Sequence, residues 1–89
     1  MKKIVFDIET KNTFAQAGTR DPIGLDLSVV SIYEYANDRY TSYLEADLPK
    51  LWPILEAADL IIGFNSNYFD IPILNKYYPG DLTKIKSLD

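Results

Sequence analysis

Two carboxylates, Asp7 and Glu9, stand two positions apart at the end of the run Lys3-Ile4-Val5-Phe6. Residues two apart on an extended strand leave the same face, so the two acids project together while Ile8 points to the other side. Like charges gathered at the end of a buried strand repel and lose hydration unless positive groups or cations compensate them. No Lys or Arg adjoins the pair, which favours a cation. The chain contains no His and no Cys, so imidazole bases, thiol nucleophiles, thiolate zinc sites and disulfides are excluded. Oxygen chemistry remains, and hard oxygen ligands select Mg2+ or Mn2+ over zinc.

With 13 acidic residues among 89, a D-x-E arises by chance about 0.4 times per chain of this composition. The pair alone therefore says little, and strand-end acids also serve as solvated turn residues. A second cluster, Asn65-Ser66-Asn67-Tyr68-Phe69-Asp70, is more specific, because N-x-x-x-[FY]-D is expected only about 0.06 times. It lies where an apolar run hands over to a helical one, and the carboxyl ends of strands in open α/β sheets are where ligands collect. Asp70 has a competing reading as a helix N-cap with Pro72 in the first turn. Asn65 and Asn67 equally suit a turn, and Phe69 a core anchor.

The elements that must hold these residues are legible in outline. Lys3 to Glu9 reads as a central strand buried on both faces until the carboxylates begin. Leu27 to Tyr35 and Tyr40 to Leu44 read as a hairpin, since Asn37 and Asp38 tolerate a tight turn. A helix follows Asp47, with Leu51, Trp52, Leu55 and Ala58 on one face. Its regular part is placed from about Lys50, with Pro53 in the first turn. Leu60 to Phe64 reads as a short strand buried on both faces, and strand, helix, strand in this order implies a parallel crossover. A last helix spans about Ile71 to Tyr78, with Tyr77 and Tyr78 as packing residues, and ends at Pro79-Gly80. Asp81 to Asp89 shows no complete element. The segment from Lys11 to Asp26 is a long linker leaving the carboxylate strand end. The sum is an α/β fold, a mixed sheet with packed helices in one domain.

At these residues the sequence becomes similar to a known family. Phe6-Asp7-Ile8-Glu9-Thr10 followed by Gly63-Phe64-Asn65-Ser66-Asn67-Tyr68-Phe69-Asp70 resembles the first two motifs of the DEDD 3′-5′ exonucleases, which have a ribonuclease H-like fold. The form with Phe64-Asn65 and Asp70-Ile71-Pro72 is most similar to exonucleases related to the proofreading domain of family B DNA polymerases. The resemblance covers residues 1–89 as the N-terminal portion of that family's domain. It implies that Asp7, Glu9 and Asp70 are three of four metal-binding carboxylates of a two-metal Mg2+ or Mn2+ site. Thr10 would lie beside the terminal nucleotide, and Asn65 and Phe69 would support substrate binding. The third motif, a Tyr or His shortly before an Asp on a later helix, is absent, and Asp89 is a poor candidate for the fourth ligand.

These readings bound the function. Thirteen acidic against nine basic residues, a net charge of -4, argue against a protein that holds nucleic acid mainly through a basic surface. Cations bridging carboxylates and phosphates remain possible, with Phe14 or Tyr68 stacking on a base. The expected partner is a nucleic acid 3′ end in single-stranded form. The apolar run after Met1-Lys2-Lys3 is too short for a signal peptide or membrane span, so a soluble, cytoplasmic chain without a membrane partner is expected. The fold reads as truncated at its C-terminal side: a missing strand beside Leu60 to Phe64 leads us to expect self-association or a completing C-terminal segment, and little or no nuclease activity from these 89 residues alone. The contrasting class is a non-catalytic ribonuclease H-like nucleic-acid-binding or interaction module.

Overall fold

The structure, a computed structural model, describes residues 1–64, 66 and 68–89; the candidate residues Asn65 and Asn67 lie outside them. Five strands form one mixed sheet in the order β3-β2-β1-β4-β5. β1 (Lys3–Thr10) is central, pairing antiparallel with β2 (Leu27–Glu34) and parallel with β4 (Leu60–Ile62). The hairpin forms as expected, β2 turning into β3 (Arg39–Leu44) through Asp38, which takes φ of 49°. A short polar side chain makes that left-handed conformation affordable.

The core gathers on one face of the sheet. Ile4, Phe6 and Ile8 of β1, with Val30, Ile32 and Ile61, are buried against Leu48, Leu51, Trp52 and Leu55 of α2 (Leu48–Glu56) and Ile71, Ile73 and Leu74 of α3 (Asp70–Asn75). The other face is only partly covered: Val5, Leu60 and Ile62 are half-buried and Asp7 and Glu9 exposed. β1 and β4 are thus not buried on both faces. A β-branched composition is shared by doubly covered strands and by one-sided ones with an apolar outer face, so composition alone does not distinguish them.

Helix α2 starts at Leu48, with Pro49 in its first turn and Pro53 in its interior. Pro49 is the residue suited to a helix start. Pro53 sits on the solvent side, where the carbonyl it leaves without a helical partner can be hydrated. Helix α3 is shorter than its sequence suggests, and Tyr77 and Tyr78 follow it as packing residues. The Tyr77 hydroxyl accepts the Leu27 N–H at 3.0 Å, and Tyr78 lies edge-on to Trp52 with centroids 5.0 Å apart.

Two segments contain more structure than the sequence indicates. After a single 3-10 turn at Leu82–Lys84, β5 (Ser87–Leu88) pairs parallel with β4, so the edge expected to lack a neighbour is occupied. Two residues are too few for a periodicity signal, and only the register with β4 reveals them. The segment after β1 is likewise ordered. It holds a one-turn helix α1 (Phe14–Ala17), capped reciprocally by Thr13 and Gln16, and a 3-10 turn at Pro22–Gly24. Pro22 and Leu25 are buried. No helix among the described residues is long and apolar enough to cross a membrane.

Lys76, just after α3, ties this segment down by donating from Nζ to the carbonyls of Ile23 at 2.6 Å and Leu25 at 2.7 Å. Charge-assisted bonds to carbonyls are worth more than neutral ones, though solvent access reduces the gain. Lys76→Met, which keeps the aliphatic stem, is expected to cost about 1–2 kcal/mol in urea unfolding and to speed amide exchange selectively between Thr13 and Leu25. Uniform exchange across the chain in that variant would show that the tether is not local.

Candidate functional site

Backbone direction brings the acids together. Lys3 presents its carbonyl to β2 and Lys2 its carbonyl to β4, so even-numbered residues of β1 address β4. β4 pairs with β1 only as far as Val5, which leaves the Ile8 N–H beyond the end of the ladder. Asp70 lies near it there, close enough for the Ile8 N–H to favour its charged form. The side chain therefore reaches back to the sheet and does not cap its own helix, whose N-cap is Phe69 without a side-chain bond.

Asp70 is 4% exposed, and its Oδ2 is buried with no hydrogen-bond partner. Burial, then the charge of Asp7, then that of Asp89 push its pKa up from 3.8 to about 6, against the opposing pull of the Ile8 N–H. Asp7 is therefore close enough to Asp70 for its charge to act on it. A buried carboxylate oxygen with acidic neighbours and no donor is the arrangement that a cation relieves.

Glu9 is exposed on the same face of β1 as Asp7, but it is not among the charges acting on Asp70. Among the described residues no three acids gather closely enough to form a ready-made metal cage. The donor set still fits Mg2+ or Mn2+. These ions, Mg2+ above all, are commonly held by one or two carboxylates, with water and substrate phosphate completing the shell.

Asp89 is the residue that sequence reasoning undervalued. Its Oδ1 accepts the Ser66 N–H at 3.1 Å, and its charge contributes to the shift at Asp70. Its position is set by the pairing of β5 with β4, and nothing in the sequence around it announces that pairing. Ser66 is fully buried, and its Oγ is also without a partner.

The remaining candidates make separate contacts. Thr10 follows a register shift in the β1–β2 pairing, and its hydroxyl donates to the Asn12 carbonyl at 2.8 Å. Phe69 packs edge-on against Phe14 at 6.1 Å, and both rings rest on the edge of the core. Phe14 is therefore engaged in packing. Tyr68 stays 56% exposed, with its hydroxyl donating to the Arg20 carbonyl at 3.2 Å, so its ring has an open face.

Neither a family model nor a curated protein matches the sequence. Among solved structures, the family B DNA polymerase from the hyperthermophilic archaeon Pyrobaculum calidifontis matches with a TM-score of 0.63 and 22% identity over 86% of this chain. The match spans 11% of that polymerase. The chain thus has the α/β fold of one part of a family B DNA polymerase, with Asp7 and Glu9 towards the end of β1 and Asp70 at the start of α3.

Proposed function

We propose that the chain carries the first part of a divalent-cation-dependent phosphodiesterase site that removes nucleotides from single-stranded 3′ ends, as a 3′-5′ exonuclease does. The observation that carries this reading is the buried, unpartnered Oδ2 of Asp70 within reach of the charge of Asp7. The sequence resemblance in both motifs and the fold shared with a DNA polymerase support it. Asp7, Glu9 and Asp70 would hold Mg2+ or Mn2+, which when bound activates water and stabilises the departing 3′ oxygen. The chain's own contribution is to hold Asp7 and Glu9 on β1 and Asp70 at the start of α3, with Thr10 beside the terminal nucleotide and Asn65 and Phe69 supporting substrate binding. An acidic protein then meets a phosphate backbone through cations and not through lysines.

The dispersed acids favour a second reading, a non-catalytic nucleic-acid-binding or interaction module, because no three of them form a cage among the described residues. The same geometry limits the expected activity. A cation held by too few carboxylates orients the attacking water poorly, and that loss falls on the transition state. These residues alone are therefore expected to shorten a 5′-labelled oligonucleotide slightly or not at all.

Binding separates the two readings. Mn2+ is expected to bind the protein, and a single-stranded oligonucleotide with a free 3′ end to bind about tenfold more tightly in Mn2+ than in chelator, an advantage of about 1.4 kcal/mol. Asp7→Asn should remove most of that difference. Equal binding in Mn2+ and chelator, or an unchanged Asp7→Asn variant, would overturn the metal site and favour the module.

A further inference from the structure

The segment between β1 and β2 carries an open cleft of about 470 Å3 lined by Phe14, Ala15, Gly18, Thr19 and Arg20. Clefts that hold small molecules have volumes of this order. The segment is fixed from both sides to α3, the helix that starts with Asp70. Ahead of that helix, Phe69 packs edge-on against Phe14 and the Tyr68 hydroxyl donates to the Arg20 carbonyl at 3.2 Å. Behind it, Lys76 Nζ donates to the carbonyls of Ile23 and Leu25. The cleft and the buried carboxylate therefore keep a set relation, with Tyr68 and Phe69 immediately preceding Asp70 in the chain.

The polar groups at this cleft suit a ligand with a phosphate and a planar ring. Lys11, the other cation of the segment, lies 3.8 Å from Glu45, whereas among the described residues the exposed Arg20 guanidinium makes no ion pair. Asp21, next in the chain, accepts the Ile23 N–H at 3.1 Å instead. A guanidinium is a planar fork of donors that matches the oxygens of a phosphate. The Tyr68 ring offers an exposed face, and its hydroxyl bond keeps it beside Arg20. An aromatic face accepts any base, so a site of this kind selects strand form and not sequence.

We propose that this cleft holds the nucleotide that precedes the terminal one in a single strand, its phosphate on the Arg20 guanidinium and its base on the ring of Tyr68. The assignment to that nucleotide rests on the phosphodiesterase reading, in which Thr10 lies beside the terminal one. A cation held by the carboxylates and the charge of Arg20 then neutralise neighbouring phosphates, which lets a protein of net charge -4 hold a polyanion. Bases within a duplex present no free face for Tyr68, so single-stranded ends are preferred.

Binding of a labelled single-stranded oligonucleotide, measured in Mn2+ and in chelator over a range of salt, tests the site. Arg20→Gln is expected to weaken binding in both buffers and to lower the slope of log affinity against log salt by about 0.7, the value for one phosphate of a single strand. Tyr68→Leu should weaken binding about tenfold, while Tyr68→Phe, which keeps the ring, should retain most of the affinity. An oligonucleotide abasic at the position before its 3′ end should lose as much with the parent protein and nothing further with Tyr68→Leu, as coupled partners do. Arg20 and Tyr68 are both exposed, and circular dichroism checks that the variants fold. An unchanged salt slope in Arg20→Gln, equal losses in Tyr68→Phe and Tyr68→Leu, or additive losses from the abasic position and Tyr68→Leu would each overturn the proposal. Absence of binding by the parent in both buffers would do the same. Equal affinity in Mn2+ and chelator, with the Arg20 and Tyr68 effects intact, would count against the metal site and leave the cleft standing.

Discussion

Asp70→Asn is expected to make the metal-free protein more stable at pH 7, by about 2–3 kcal/mol in urea unfolding. The carboxyl group has a pKa of about 6 in the folded protein against 3.8 unfolded, and each unit is worth about 1.36 kcal/mol. Between these values the folded state keeps a proton that the unfolded state has released, so stability falls as pH rises. The favourable contribution of this group is complete below pH 3.8 and is lost as pH passes through about 6. Asparagine carries no charge, retains an acceptor for the Ile8 N–H, and places a donor where Asp7 and Asp89 offer acceptors. The advantage of the variant should therefore vanish below about pH 4 and reach its plateau above about pH 7. Mn2+ should raise the melting temperature of the parent and leave that of Asp70→Asn unchanged, since a ligand stabilises only the state that binds it. A variant less stable than the parent at pH 7, or one with the same pH slope, would show that Asp70 is not strained by its neighbours.

Gly63→Ala should destabilise the protein by about 2–3 kcal/mol, at the upper end of the usual cost of overpacking. A Cβ there would lie 2.7 Å from Ser66 Cβ, 3.0 Å from its Oγ and 3.1 Å from Phe6 Cε1. The closest of these atoms is fixed directly to the backbone, so a rotamer change cannot make room. Either the end of β4 or the turn carrying Ser66 must move, and Asp70 accepts its position from that turn: the Ile71 N–H bonds to the Ser66 carbonyl at 2.8 Å. Ser66→Gly removes the two closest of these three atoms and leaves only Phe6 Cε1, so the double variant should recover a large part of the loss, as coupled neighbours do. Thermal melts of the four proteins give the coupling directly. Additive losses would place the clash elsewhere, and Gly63→Ala within about 0.5 kcal/mol of the parent would mean that the turn yields freely.

Local elements are legible in short stretches of chain. The strand ending in Asp7 and Glu9, the hairpin turning at Asp38, the helix built on Leu51, Trp52 and Leu55 and the parallel return at Leu60 to Ile62 each follow from periodicity, turn chemistry and connection rules within a few tens of residues. So does the pairing of the two acids on one face, because the strand period is two. Contacts between residues distant in sequence set the rest. β5 exists because two residues find register beside β4, an interaction that no propensity of Ser87 or Leu88 encodes. Asp70 turns to β1 and not to its own helix terminus because β4 ends at Ile62 and leaves the Ile8 N–H without a ladder partner. Asp89 joins that neighbourhood only through β5. The one-sided burial of β1 has the same origin: Val5 and Ile4 are similar β-branched residues, and only the placement of both helices on one side of the sheet makes one core and the other surface.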